Sequence, residues 1–167
     1  SMGSPALKGR IAAKSDLVVQ RMQDAGAIVI GKTNTPEFGL GSHTYNPVFG
    51  ATENAYVAGR SAGGSSGGAA VALAKNMVCV ADGSDMMGSL RNPAGWNNVY
   101  GLRPSWGRVP SEAEGDTFLH QLATSGPMAR CPRDLAHLLE VQAGPDPYQP
   151  HGLPVETYHD KLDADLK

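Results

Sequence analysis

Apolar positions along this chain recur at helical spacing in some stretches and run together in others. Leu17, Val18, Arg21, Met22 and Ala25 share one stripe, with Ser15 or Asp16 placed to cap its start and Gly26 to stop it. This spacing predicts an amphipathic helix through about Ala25. The apolar run over residues 27–30 then predicts a short buried strand. Residues 67–75 are rich in alanine and leucine, strong helix formers with small side chains, and predict a closely packed helix. A second apolar run at 77–81 predicts another strand, followed by a polar turn at 82–85 and a segment carrying Ser89 in a turn at the strand's end. Pro132 suits the first turn of a last helix, whose stripe is Leu135, Leu138, Leu139 and Gln142 and whose end is Gly144-Pro145. Helices alternating with short apolar runs predict an α/β fold in layers, with a sheet covered by helices.

The remaining stretches have weaker periods. Residues 31–59 contain Gly, Pro, Asn and Thr throughout and predict a long ordered connection, with Phe38, Tyr45, Val48 and Phe49 as the side chains available to bury. His43, in that connection, reads as a hydrogen-bonded structural histidine ahead of a catalytic one. Residues 97–110 predict short strands and turns. Glu112, Glu114 and Asp116 form an acidic loop expected to be solvated, as are residues 1–14 with Lys8, Arg10 and Lys14. The core is expected over about 12–145 of a single domain, with 146–167 as a loose tail.

Composition narrows the function classes. At 167 residues one domain with a sizeable core is expected. A formal charge of −2 gives no electrostatic case for nucleic acid or an anionic membrane surface. No apolar run is long enough for a membrane span, and no charged-then-apolar leader pattern opens the chain. Cys79 and Cys131 form neither a disulfide framework nor a zinc pattern, so no metal or cofactor is expected. Cys79 reads as a small buried hydrophobe, and a reducing cytoplasm is the expected setting.

The chemistry gathers between Ser61 and Pro110. Ser65 and Ser66 lie between Gly63-Gly64 and Gly67-Gly68, and Ser89 follows in a block running Gly83-Ser84-Asp85-Met86-Met87-Gly88-Ser89-Leu90-Arg91-Asn92-Pro93-Ala94. Glycine at this density lets backbone approach a ligand closely, and a Gly/Ser loop entering a helix places amides where negative charge is favoured. Taken alone, Gly63 to Gly67 also fits the G-x-S-x-G elbow of an α/β-hydrolase with Ser65 as nucleophile. That motif needs a strand directly before it, which residues 56–62 do not supply, and no spacing selects His120, His137, His151 or His159 as its base. A phosphate-binding loop is weaker still, since no Lys-Ser/Thr pair follows the glycines.

The two serine blocks together, with the segment from Gly31 to His43 before them and the Gly101 to Pro110 text after them, resemble the amidase-signature family over roughly residues 25–145. That resemblance implies an α/β/α sandwich with a mixed central sheet, and a strand near residues 126–130 after the active-site segment. It implies hydrolysis of a carboxylic amide in a small-molecule substrate through a serine acyl-enzyme. Ser89 matches the nucleophile and Ser65 the bridging serine, which follows a cis bond from Gly64. The amides of Met86, Met87, Gly88 and Ser89 match the oxyanion hole. Asp85 and Arg91 match a buried structural pair, and Ser66 is expected to support Ser65 by hydrogen bonding.

Two departures from the pattern matter. The family commonly has glycine where Met87 stands, so strain is expected at Met87 if that position needs a positive φ. Met86 and Met87 would also make the acyl pocket narrow and apolar, favouring apolar or aryl amides. The family's catalytic lysine belongs to a motif that does not occur before Ser65. Lys8, Lys14, Lys32 and Lys75 match no catalytic position. The chain therefore reads as a fragment or shortened member, inactive or nearly so by itself, with self-association through exposed sheet edges expected. The alternative reading is a non-catalytic amidase-like domain used for assembly or ligand binding.

Overall fold

The computed structural model describes residues 1–111, 118 and 121–165. The acidic residues Glu112, Glu114 and Asp116, and His120, lie outside the described residues. Helix α1 (Leu17–Asp24) begins after Asp16, whose backbone is extended, and turns Val18 and Met22 inward. Two short strands, β1 (Tyr45–Asn46) and β2 (Gly50–Ala51), pair as a hairpin. Helix α2 (Gly67–Ala74) is buried on nearly every side. It is followed by strand β3 (Val80–Asp85), helix α3 (Arg91–Trp96) and the short strand β4 (Tyr100–Gly101). Strand β5 (Thr124–Ala129) and helix α4 (Pro132–Gln142) complete the set.

Strands β3, β5 and β4 form one sheet in that order, and both pairings are antiparallel. The parallel partners that a mixed sheet requires are not among the described residues. Strand β5 is central. Gly126, Pro127, Met128 and Ala129 are all buried, so both alternating sets of its residues are covered, as the α/β reading requires. One core cluster joins α2 (Ala69, Ala70, Leu73), α3 (Ala94), Leu90 and Met128 of β5. The other joins α1 (Val18, Met22), α4 (Leu138, Leu139) and Val109.

Small residues explain how closely α2 sits. A Cβ at Gly68 would lie 2.5 Å from the backbone nitrogen and oxygen of Asn34, so the helix can rest on that loop only with glycine there. At the other end of the fold, the Arg21 guanidinium closes the C-terminus of α4. It donates to the carbonyls of Gln142, Ala143 and Gly144 at 3.0, 2.7 and 3.2 Å and to that of Pro145 at 2.7 Å. The Gln142 carbonyl is one that the helix end leaves unpaired, the other three belong to the chain that leaves it, and the cation also complements the helix dipole.

Several expectations are corrected here. Residues 27–30 form no strand, and Ile28, Val29 and Ile30 are 88%, 51% and 72% exposed. An apolar run becomes a buried strand only where neighbouring strands pair with it, and no described strand does. Strand β3 starts later than the apolar run and continues through Asp82, Gly83, Ser84 and Asp85, in place of the expected polar turn. Its register against β5, from Val80 opposite Ala129 to Asp85 opposite Thr124, overrides the poor strand propensity of those residues. Cys79 is exposed, not buried.

The connection over 31–59 is ordered, but not by its aromatics, since Phe38, Tyr45 and Phe49 are all exposed. Buried amides hold it instead. Asn46 Nδ2 donates to Asn34 Oδ1 at 2.6 Å and to the Thr35 carbonyl at 2.7 Å, while its Oδ1 accepts from the amides of Val48 and Phe49. The segment after Gly144 is tied to the body and is not the loose tail expected. Leu153 N donates to the Gly107 carbonyl, Arg108 reaches the Pro154 carbonyl and Glu156, and Glu140 accepts from the amides of Tyr158 and His159.

Candidate active site

The two serine blocks meet at the junction of α2 with the end of β3. The Ser66 amide donates to the Ser89 carbonyl at 3.3 Å, which sets the turn before α2 against the turn before α3. The peptide bond from Gly64 to Ser65 is cis. Gly64 lies against the 42–43 backbone, where an added Cβ would come within 2.7 Å of the His43 nitrogen. Ser65 is buried and Ser89 is half-buried. Among the described residues neither hydroxyl has a hydrogen-bond partner, so the pair is not bonded to each other here.

Ser66 plays a different part from the one expected. Its hydroxyl is shared with the backbone of Ser84, donating to the carbonyl and accepting from the amide at 3.3 Å each, rather than supporting Ser65. It anchors the first serine turn to β3. Thr44, which sequence reasoning missed, holds the same turn from the other side. Its buried Oγ1 donates to the Gly63 carbonyl at 2.8 Å, lies 3.3 Å from that of Ser65, and accepts from the Gly67 amide at 3.0 Å.

Asp85 organises the second turn. Its fully buried carboxylate accepts from the amides of Gly88 (2.7 Å), Leu90 (3.1 Å) and Arg91 (3.4 Å). It also accepts from Arg91 Nε and Nη2, both at 3.0 Å, and from Arg103 Nη1 at 3.1 Å. Burial by itself pushes this carboxyl up, but the Arg91 side chain and the three amides outweigh it and hold the group well below the ordinary aspartate range. The pair with Arg91 is buried on one side only, since the Arg91 side chain is 55% exposed. Arg103, also missed from sequence, is the better enclosed partner. It further donates to the carbonyls of Asp85, Met86 and Leu122.

The amides expected to form an anion-binding hole do not all remain available. Gly88 N is taken by Asp85 Oδ1. The amides of Met86, Met87 and Ser89 donate to no described residue. The left-handed conformation in this turn falls on Gly88, with φ +116°, and Met87 carries none of the strain expected of it. Met87 is instead 85% exposed, with Met86 less so, and both form an apolar rim beside Ser89. His43 faces Ser61, with Nδ1 2.8 Å from its Oγ, and stands near the Trp96 ring. Buried Asn97 completes the frame by bonding the Ala62 and Pro93 carbonyls and the Ala55 amide. Neither Thr44, Arg103 nor Asn97 carries a local signal, because each acts on backbone remote in sequence.

Lys8, Lys14, Lys32, Lys75 and Lys161, the lysines among the described residues, are all exposed at the surface. Among the same residues, no helix is long and apolar enough to cross a membrane.

A turn whose Met86, Met87 and Ser89 amides donate to no described residue thus lies beside one half-buried serine, braced against a second serine that follows a cis bond. The Amidase family model matches residues 1–167, and the chain belongs to that family. It is 46% identical over 145 residues to a glutamyl-tRNA(Gln) amidotransferase subunit of Thermus thermophilus, covering 87% of this chain and 31% of that protein. It is 40% identical over 170 residues to an indoleacetamide hydrolase of Bradyrhizobium diazoefficiens, covering 99% and 32%. Among solved structures, a 6-aminohexanoate cyclic dimer hydrolase superposes with a TM-score of 0.91 at 35% identity, over 99% of this chain and 35% of the other. The chain thus spans about a third of the length of the relatives it matches.

Proposed function

We propose that this chain carries the nucleophile half of an amide-hydrolysing site that cleaves the C–N bond of a small carboxylic amide. In this reading Ser89 attacks the amide carbonyl, and Ser65 passes its proton toward a base. The amides of Met86, Met87 and Ser89 stabilise the oxyanion, and water releases the acid from the acyl-enzyme. Asp85, Arg91 and Arg103 hold the turn in shape. Ser66, Gly64 and Thr44 do the same for Ser65. The observation that carries the reading is the bond from the Ser66 amide to the Ser89 carbonyl, which brings the two serine blocks together. Every lysine among the described residues is exposed and so keeps its proton at neutral pH, and the 167 residues alone turn over little or no amide. The substrate is an apolar or aryl amide, in keeping with the Met86 and Met87 rim and with relatives named for indoleacetamide and aryl acylamides. Two free cysteines, one of them exposed, suit a reducing cytoplasmic setting.

A second reading is assembly, since a relative is named as one subunit of an amidotransferase and Ile28, Val29 and Ile30 are exposed together. A serine-directed fluorophosphonate, followed by peptide mass mapping, separates the possibilities. Labelling of Ser89, lost in Ser89→Ala, supports the first reading. Labelling of Ser65 supports the α/β-hydrolase alternative, and clear turnover of aryl amides by the purified chain refutes its inactivity. Light scattering that returns a monomer at high concentration counts against self-association.

A further inference from the structure

Far from the serine turns, three ligand-bearing side chains converge where the C-terminal segment crosses α4. His137 and Glu140 lie one turn apart on α4, and His159 comes back from the segment after Gly144. One ligand atom from each lies within 4.8 Å of the others. We propose that His137, Glu140 and His159 form a site for a divalent transition metal of the zinc class, which clasps the C-terminal segment onto α4.

The donor set selects the ion. Two imidazoles and one carboxylate suit zinc, nickel, cobalt or copper, whereas magnesium and calcium take oxygen donors. The surroundings match what metal ligands need. His159 Nδ1 faces Glu140 Oε2 at 2.7 Å, and its other ring nitrogen is held by Asp160 Oδ1 at 2.8 Å. A carboxylate on the far nitrogen orients a ligating imidazole and raises its basicity. Glu140 is fixed in turn by the amides of Tyr158 and His159, both on Oε1, which leaves Oε2 toward the imidazoles. His137 is stacked on His159 with ring centroids 4.6 Å apart, and its Nδ1 is 4.0 Å from Glu140 Oε2. Its side chain is 53% exposed, so it can rotate to close the coordination shell, with water in the fourth position. Binding exchanges the proton between His159 Nδ1 and Glu140 for the metal ion and releases that proton to solvent.

The test is a titration of the tag-free chain with Co²⁺ and, by competition with a chromophoric chelator, with Zn²⁺. Expected is one saturable equivalent with visible cobalt bands. His137→Ala and His159→Ala should each weaken binding by about 10-fold or more, and Asp160→Asn by about 10-fold. His137→Ala, at a half-exposed position, tests ligation without risk to the fold, and circular dichroism confirms that each variant is folded. Zinc should also slow proteolytic cutting after Gly144 several-fold in the wild type and not in His159→Ala. No saturable binding, equal affinity in the His137→Ala/His159→Ala double variant, or unchanged proteolysis in zinc would overturn the proposal. None of these readouts depends on amide cleavage.

Discussion

Replacing Asp85 by asparagine keeps the side-chain shape and removes the charge around which the Ser89 turn is built. In the wild type one buried carboxylate receives three amides and two guanidinium groups. Asparagine offers one acceptor and turns a donor toward groups that are themselves donors. On the Oδ2 side those are the amides of Leu90 and Arg91, and on the Oδ1 side the Gly88 amide and Arg103. Either orientation leaves at least one buried amide unpaired, and Arg103 loses its counter-charge. Breaking a buried pair from one side costs about 3–5 kcal/mol, and Asp85→Asn is expected in that range at pH 7. Urea unfolding followed by circular dichroism measures it. The pH dependence gives a second check. The folded carboxyl is held below its unfolded pKa, so its contribution is fully present above the unfolded value and is lost as pH falls through the folded one. The stability gap between wild type and Asp85→Asn should therefore be flat from pH 7 to about 5 and narrow as pH falls below the ordinary aspartate value of 3.8. A loss under about 1 kcal/mol, or a gap unchanged at acid pH, would refute the assignment of Asp85 as the organiser of the turn.

Three further outcomes follow from the same geometry. Thr44→Val leaves the Gly63 carbonyl and Gly67 amide without their shared hydroxyl and should cost about 1–3 kcal/mol in urea unfolding, with probe labelling at Ser89 slowed. Gly68→Ala drives a Cβ into the Asn34 backbone and should destabilise by about 1–3 kcal/mol, or displace the 31–59 connection, in a thermal melt. Arg21→Met keeps an unbranched stem and strips the cation from the α4 C-terminus. It should lower stability by about 1–2 kcal/mol and leave serine labelling unchanged, which separates the two ends of the fold.

Helices α1, α2 and α4 were the most legible part of the sequence, because each is written as a local stripe or a run of strong helix formers, whereas α3, with Pro93 and Gly95 inside it, carries neither and was not predicted. Val18 and Met22 mark α1, the alanines mark α2, and Leu138 and Leu139 mark α4. Strands were less so. The apolar run at 27–30 has the composition of a strand and lacks described partners, whereas Asp82 to Asp85 have turn composition and are drawn into β3 by their register with β5. The motifs located both serine turns, the cis bond and the Asp85–Arg91 contact through resemblance. They did not reveal that Gly88 serves Asp85, that Ser66 is bonded to Ser84, or that Thr44, Asn97 and Arg103 hold the frame. Those roles depend on which distant backbone groups fall within about 3 Å of a side chain, a property of packing rather than of spacing.

The way Thr44 grips the first serine turn sets a limit on transplanting this centre into another scaffold. A cassette cut at residues 61–103 would carry Ser65, Ser66, Asp85, Ser89, Arg91 and Arg103 together, yet it would arrive with the Gly63 carbonyl and the Gly67 amide unmatched. A chimera that begins near residue 42 brings its own brace, and one that begins later must find a hydroxyl already waiting in the host.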